Sequence, residues 1–218
     1  MSTIVKEAKR MKDKTKYKKL LEAHSNNILI SNYNLKDKFT DFENSKLNES
    51  RTLLYEIKEK PLTFKRYSRG NIVKVKFGVN IGSEFSGDHY AIIISKRDTM
   101  YNPILHVIPI TSDDSKYNIN LGEIIYDEKQ IKNLQELYDK KTNNNEKKEI
   151  KKCINYYSKN KNRKSFACTK HIKTISKLSI LKPLNKYDYL PKLKLSDKIL
   201  DKIDLEIIKE YTNFNYKK

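Results

Sequence analysis

The segment Ile72-Val73-Lys74-Val75-Lys76-Phe77 decides the fold class of this chain. Apolar residues and lysines alternate along it, which predicts a strand with one buried and one solvated face. Two apolar runs follow, Tyr90–Ser95 and Ile104–Ile110, and both are continuous and rich in β-branched residues. Such runs are typical of strands covered on both faces. Since Gly, Asn and Asp residues join the three strands, we predict an antiparallel sheet or small barrel.

Three further strands are expected nearer the C-terminus, at Ile119–Ile125, Phe166–Cys168 and Ile172–Ile175. Residues 127–163 separate the first of these from the second and carry two amphipathic stripes with a polar turn at Thr142–Asn145. This arrangement predicts an inserted helical hairpin whose apolar stripes bury each other.

A last helix is predicted after Ser196, which is a suitable N-cap residue. Ile199, Ile203 and Ile207 recur on one face of this helix, so we expect it to cover the sheet or one mouth of the barrel. The fold class is therefore α+β.

The first sixty residues differ from the rest, being charged and weakly helical in pattern. We interpret residues 1–60 as a helical N-terminal extension and residues 61–218 as the barrel domain. A broken helical period is formed by Ile4, Ala8 and Met11 followed by Leu20 and Leu21, and another weak helix is expected near Leu47–Ile57. The lysines between residues 6 and 19 fit either a solvated helix face or an RNA-contacting arm.

Composition narrows the function classes. The formal net charge is +19, from 46 Lys and Arg against 27 Asp and Glu. This charge excludes an acidic protein that mimics a polyanionic partner, and it makes a polyanion the first partner to consider. The Lys and Asn bias is general along the chain, so charge alone does not decide for nucleic acid. The sequence has no apolar run of the ~18–20 residues that a membrane span needs. Cys153 and Cys168 form no ligand spacing, and we expect a reducing cytoplasm.

Motifs for metal, phosphate and serine-hydrolase chemistry are missing from the sequence. The four histidines, His24, His89, His106 and His171, show no HExxH or paired-Cys spacing, and no GxGxxG, GxxxxGK[ST] or GxSxG is present. We therefore expect neither a metal nor a cofactor. His106 alternates with apolar residues, which favours a core or interface histidine.

Four motifs follow one another along the chain. Arg69-Gly70-Asn71 opens the first strand, and Gly82-Ser83-Glu84 begins a loop bounded by glycines. The strand after that loop ends in Ser95, and Ile108-Pro109-Ile110-Thr111-Ser112 ends the next strand. Together they resemble the MazF/PemK family, the toxins of type II toxin–antitoxin pairs. His171–Lys177 is similar to a later strand of the same family. The resemblance covers about residues 69–126 and 165–211.

The resemblance implies an SH3-like barrel of the MazF/PemK/CcdB type, usually a homodimer, held inactive by an antitoxin. It implies cleavage of single-stranded RNA without a metal, through attack of a ribose 2′-OH that leaves 2′,3′-cyclic phosphate and 5′-OH ends. Two alternatives stay open. One is a non-catalytic toxin of the same fold that binds a protein target such as DNA gyrase, and the other is a non-catalytic RNA-binding regulator.

The family's catalytic pair is an Arg at the end of the loop and a Thr at the end of the next strand. Thr111 matches the Thr, whereas His89 stands at the Arg position. We expect His89 to act as general base or acid, Thr111 to bind the phosphate and Ser112 to assist. Glu84 would orient His89 or contact a base. Each residue also has a structural alternative. His89 would cap the strand, the Thr111 hydroxyl would bond to the backbone, and the Glu84 carboxylate would bond N–H groups of the loop.

Further residues near these motifs are candidates for binding RNA through stacking or charge. They are Arg69, Ser83, Phe85, Tyr90, Lys170, His171 and Lys173. Packing explains the two aromatic residues equally well, and a solvated strand face explains the last three.

Overall fold

The computed structural model describes residues 14–32, 39, 41–59 and 63–214. The chain divides into two compact units, Met1–Leu54 and Tyr55–Lys218. Helix α1 (Lys14–Asn32) lies in the first unit, and α2 (Phe42–Glu59) runs across the division. The helix expected near Leu47–Ile57 is confirmed. The helical spacing of Ile4, Ala8 and Met11 lies outside the described residues.

The second unit is built on an antiparallel sheet, as predicted. Its six strands are β1 (Ile72–Lys76), β2 (Asp88–Ile93), β3 (Ile104–Thr111), β4 (Ile119–Gly122), β5 (Ser165–Ala167) and β6 (Lys173–Ser176). The strand order is β1-β2-β3-β5-β4, and β6 also pairs with β3. The α+β class is thereby confirmed.

Strand β3 is the centre of the sheet. On one edge it pairs with β2, with Ala91 opposite Pro109. On the other edge its first half pairs with β6 and its end, Ile110 and Thr111, pairs with β5. The chain after β6 then reaches the free edge of β1 through a bridge between Val75 and Ile180.

Both faces of the sheet are covered. One core gathers Val75, Ile93 and Val107, while the other gathers Ile92 and Ile108 on the opposite face. Because side chains alternate along a strand, β1 and β2 contribute to both cores. The prediction that both faces are covered is confirmed for β2, but for the run Ile104–Ile110 it holds only from Val107 onward, because Ile104 and His106 are exposed. The alternation predicted for β1 is confirmed in part: Val73 and Val75 are buried and Lys74 and Lys76 are partly exposed, but Ile72 on the lysine face is buried as well.

The predicted helical hairpin is confirmed as α3 (Glu128–Lys140) and α4 (Asn144–Ser158). The Asp127 side chain caps α3 by accepting from the Lys129 N–H, and Asn143 caps α4 in the same way. The buried face of α4, including Ile150 and Tyr157, joins the core that contains Ile92. The hairpin is thus packed into the main core of the unit.

Helix α5 (Asp197–Tyr211) is the predicted C-terminal helix. Its buried Leu200 and Ile203 belong to the same core as the hairpin, which confirms that it covers the sheet. Ser196 is its N-cap residue, but its side chain makes no capping hydrogen bond. Across the described helices, none combines the length and apolar character that a membrane crossing requires.

Two details of the sequence prediction need correction. The fourth strand ends at Gly122, not at Ile125, because Gly122 has a φ of 69° and the chain turns there. Ile125 is still buried, but it enters the core from a turn. His106 is exposed on β3, with a ring nitrogen 3.5 Å from the Ser95 hydroxyl, so it is not a core histidine.

The two cysteines, Cys153 and Cys168, are free and buried. Burial raises the pKa of each thiol to about 11. Both are therefore protonated near neutral pH and are poor nucleophiles.

The hairpin is anchored by a buried hydrogen bond from the Tyr157 hydroxyl to the Asp188 carboxylate, at 2.6 Å. Tyr157→Phe keeps the ring, which stacks on Tyr189 at 4.1 Å, and removes only this bond. A hydrogen bond to a charged group contributes about 1.5–3 kcal/mol. We expect urea denaturation to show a loss of that size in the free energy of unfolding.

Tyr189→Phe is the matched control for this prediction. Its hydroxyl is also buried, but it donates to the neutral carbonyl of Ile125, at 2.7 Å. A neutral bond contributes about 0.5–1.5 kcal/mol. Equal losses in the two variants would contradict an anchoring role for the charged Asp188.

Candidate functional site

A cavity of about 250 Å³ opens where β2 and β3 meet the end of the hairpin. Both residues of the expected catalytic pair, His89 and Thr111, line it. Ala91 pairs with Pro109 in the β2–β3 ladder, and the same register continued by two residues sets His89 opposite Thr111. The antiparallel pairing of these strands thus brings together two residues that are distant in sequence.

The His89 ring packs against aromatic neighbours. Its centroid lies 4.5 Å from the Phe85 ring and 6.5 Å from the Phe77 ring. Burial lowers the pKa of His89 below its ordinary value of 6.5, although backbone groups of Ser86 and Ile110 and the charges of nearby aspartates oppose the change. The imidazole is therefore neutral near pH 7, which is the form that accepts a proton.

Thr111 and Ser112 form the end of β3 in this cavity. The Thr111 hydroxyl accepts from the Asp113 N–H at 3.2 Å, so one of the expected alternatives, a bond to backbone, is present. Its own proton remains available to a ligand. The Ser112 hydroxyl accepts from Nη2 of Arg163 at 2.5 Å.

Tyrosine side chains also line this cavity. The hydroxyls of Tyr90 and Tyr156 lie 3.1 Å apart, and Nζ of Lys74 donates to the Tyr156 hydroxyl at 3.0 Å. Burial raises the pKa of Tyr90 and of Tyr126. Both phenols are therefore uncharged at neutral pH and offer donors and ring faces to a ligand.

Glu84 does not contact His89 in the structure. Its carboxylate is 61% exposed and pairs with Lys173 at 3.3 Å. Phe85 lies between the two histidines, with its ring 5.5 Å from that of His171. These contacts gather five of the predicted residues on the Phe85 side of β2, which is the face opposite Tyr90.

The remaining predicted residues lie elsewhere. Ser83 is exposed in the turn before Phe85. Lys170 sits over the Tyr117 ring and pairs with Glu210 at 3.5 Å. The Arg69 guanidinium donates to the Ile94 carbonyl and pairs with Asp204 of α5. An RNA-binding role for these three residues stays a prediction.

Nine residues of the cavity lining were not predicted as site residues from the sequence: Lys74, Asp88, Ile110, Ile125, Tyr126, Tyr156, Arg163, Lys164 and Ser165. Lys74 looked like a solvated residue of an alternating strand. Its burial by α4 could be inferred only from the tertiary packing. Tyr156 also lines a neighbouring basic groove of about 440 Å³. Its lysines are Lys148, Lys151 and Lys152 of α4 and Lys159, which follows the helix.

Over residues 14–32, 41–59 and 63–214, no group of three His, Cys, Asp or Glu side chains is arranged to hold a metal ion.

A family model described as PemK-like, MazF-like toxin of type II toxin-antitoxin system matches residues 68–209. No curated protein matches the chain. The matched span contains all six strands, the hairpin and most of α5.

Proposed function

We propose that this chain, which belongs to the family of PemK-like, MazF-like toxins of type II toxin–antitoxin systems, is an endoribonuclease that cleaves single-stranded RNA. The observation that carries the proposal is the shared cavity of His89 and Thr111, with Lys74 and Arg163 in its lining. Phosphodiester cleavage by a 2′-OH is promoted by a proton acceptor and by donors or cations that stabilise the charge on the phosphate, and the cavity lining offers both kinds of group.

In the proposed reaction the neutral His89 imidazole takes the proton of the ribose 2′-OH. The 2′-oxygen bonds to the adjacent phosphorus, and the bond from phosphorus to the 5′-oxygen breaks. The departing 5′-oxygen takes a proton from water, and His89 returns its own proton to solvent. The products are a 2′,3′-cyclic phosphate and a 5′-OH, and the Thr111 hydroxyl holds a phosphate oxygen throughout.

The path of the RNA is proposed from the neighbouring surfaces. The lysine groove of α4 shares Tyr156 with the cavity, so a strand leaving the cavity meets cations that bind phosphates without regard to sequence. On the other side, Phe85 and His171 present rings on which an unpaired base can stack.

The proposal also includes the barrel fold, the oligomeric state and the partner that the family resemblance implies. The bridge between Val75 and Ile180 supports a sheet that closes as an SH3-like barrel. We further propose a homodimer that acts in the cytoplasm. Membership of a type II toxin family implies an antitoxin partner.

The first experiment incubates purified protein with a long single-stranded RNA in EDTA and identifies the new ends chemically. We expect cutting to 2′,3′-cyclic phosphate and 5′-OH ends. An oligonucleotide with a single 2′-deoxy sugar at the mapped site should stay intact, because it lacks the nucleophile. The matched all-ribose oligonucleotide is the control.

Three results would contradict the proposal. Cutting of the 2′-deoxy oligonucleotide would exclude the 2′-OH mechanism. Binding of RNA without any cutting would favour a non-catalytic RNA-binding regulator, and an absence of both would favour a toxin that binds a protein target.

A further inference from the structure

His89 stands at the position where the family resemblance predicts an arginine. The site therefore lacks the permanent positive charge that an arginine would supply there. Attack on a phosphodiester adds negative charge to the non-bridging oxygens, and a fixed cation stabilises that charge. His89 is neutral near pH 7 because burial lowers its pKa. The inference below rests on the proposed function and concerns which residue supplies the missing cation.

Arg163 reaches the cavity from the end of the hairpin. After α4 the chain makes a tight turn in which Asn162 adopts a φ of 63°, a conformation that Asn tolerates better than most residues. The Arg163 N–H donates to the Asn160 carbonyl at 3.0 Å, and Nη1 donates to the Asn160 side chain at 3.3 Å. Local contacts thus hold the backbone and one side of the guanidinium.

The other side of the guanidinium faces the end of β3. Nη2 donates to the Ser112 hydroxyl, and Ser112 directly follows Thr111 in the chain. Arginine presents five N–H groups in a planar fork, and these two bonds occupy only two of them. Donors therefore remain for a phosphate at this end of the strand.

The charge of Arg163 is not neutralised by a nearby acid. Within the described part of the chain, no carboxylate pairs with its guanidinium, whereas Lys161 pairs with Glu128 at 3.1 Å. The positive charges of Arg163 and Lys74 both act on Tyr126, where they oppose the rise in its pKa that burial causes. The positive charge of Arg163 therefore acts on groups that line the cavity.

Lys164 also lines the cavity, but its ammonium group is a point charge that cannot hold two phosphate oxygens as a guanidinium does. Lys74 is less suited to the same task as well. Its ammonium group is bonded to the Tyr156 hydroxyl and lies 5.4 Å from the centre of the Tyr156 ring. It is also a point charge, which cannot grip two phosphate oxygens at once as a guanidinium does.

We propose that Arg163 and Ser112 form the binding site for the scissile phosphate of the RNA, so that the hairpin supplies the fixed cation which position 89 lacks. The guanidinium donates hydrogen bonds to the non-bridging oxygens, and no proton leaves it. The bond from the 2′-oxygen to phosphorus forms and the bond to the 5′-oxygen breaks as before. The active site is then a composite of the sheet and the hairpin.

The test compares Arg163→Ala, Arg163→Lys and Arg97→Ala with the wild-type protein on the same single-stranded RNA. Arg97 is an exposed arginine in the loop between β2 and β3, so its replacement removes equal charge outside the cavity. Loss of one donor to the developing charge costs about 10²-fold in kcat. We expect that loss for Arg163→Ala, a smaller loss for Arg163→Lys, and nearly wild-type cleavage for Arg97→Ala.

A second readout separates a direct role from a structural one. Free guanidinium ion at low millimolar concentration, well below denaturing levels, should partly restore kcat in Arg163→Ala and leave Arg97→Ala unchanged. A lowered thermal midpoint with no such rescue would indicate a structural residue and overturn the inference.

The remaining outcomes separate the two proposals. Wild-type cleavage with an equally fast Arg163→Ala protein would overturn the phosphate site and leave the nuclease intact. RNA that the wild-type protein does not cut would overturn both.

Discussion

Replacing His89 with alanine is expected to slow RNA cleavage by about 10²- to 10⁴-fold, because a positioned general base contributes that much to proton transfer. The ring is held against Phe85 at 4.5 Å in the cavity that Thr111 also lines. The measurement is kcat/KM on a single-stranded RNA in EDTA. His106→Ala is the matched control, since His106 is an exposed histidine on β3 outside the lining of the cavity.

The pH profile gives the same prediction a second readout. Burial lowers the pKa of His89, so the neutral base form dominates above a midpoint that lies below the ordinary 6.5. We expect kcat/KM to rise with pH through that midpoint and then level off, and His89→Ala should lack this rise. A profile that falls as pH increases, or a rise that persists in the variant, would contradict a general base at this position.

The strands could be predicted because their apolar patterns are local. The runs Tyr90–Ser95 and Ile104–Ile110 predicted strands with both faces covered, and the two cores cover β2 and the second half of β3 in this way. The end of the fourth strand was wrong because Ile124 and Ile125 are apolar for packing against the core, which a turn residue can do as well as a strand residue. Apolar periodicity reports burial, and it does not report the backbone conformation at a glycine such as Gly122.

Part of the candidate site could be predicted for a similar reason. His89 and Thr111 belong to ordered motifs on neighbouring strands, and antiparallel register brings such residues together. Arg163 and Tyr156 carry no motif. They reach the cavity only because the hairpin packs on the sheet, and that packing depends on contacts between residues far apart in sequence, such as Tyr157 with Asp188.

The segment after β6 is fixed by an ion pair that the sequence did not reveal. Nζ of Lys177 lies 2.7 Å from the Asp98 carboxylate, and the exposed fractions of the two side chains are 2% and 0%. The same ammonium donates to the Thr99 carbonyl, and the Tyr67 N–H donates to Asp98. This segment leads directly to Ile180 and its bridge with β1, so the pair holds the sheet together at that edge.

Lys177→Met is therefore expected to lower the free energy of unfolding by about 3–5 kcal/mol, because it leaves the Asp98 carboxylate buried without its counter-charge. Lys173→Met is the matched control, since Lys173 pairs with Glu84 at the surface, where an ion pair contributes about 0–1 kcal/mol. Urea denaturation of both variants measures the difference. Adding Asp98→Asn to Lys177→Met should recover part of the loss, because the amide carries no charge to bury. Equal losses in Lys177→Met and Lys173→Met would show that the buried pair does not stabilise this edge of the sheet.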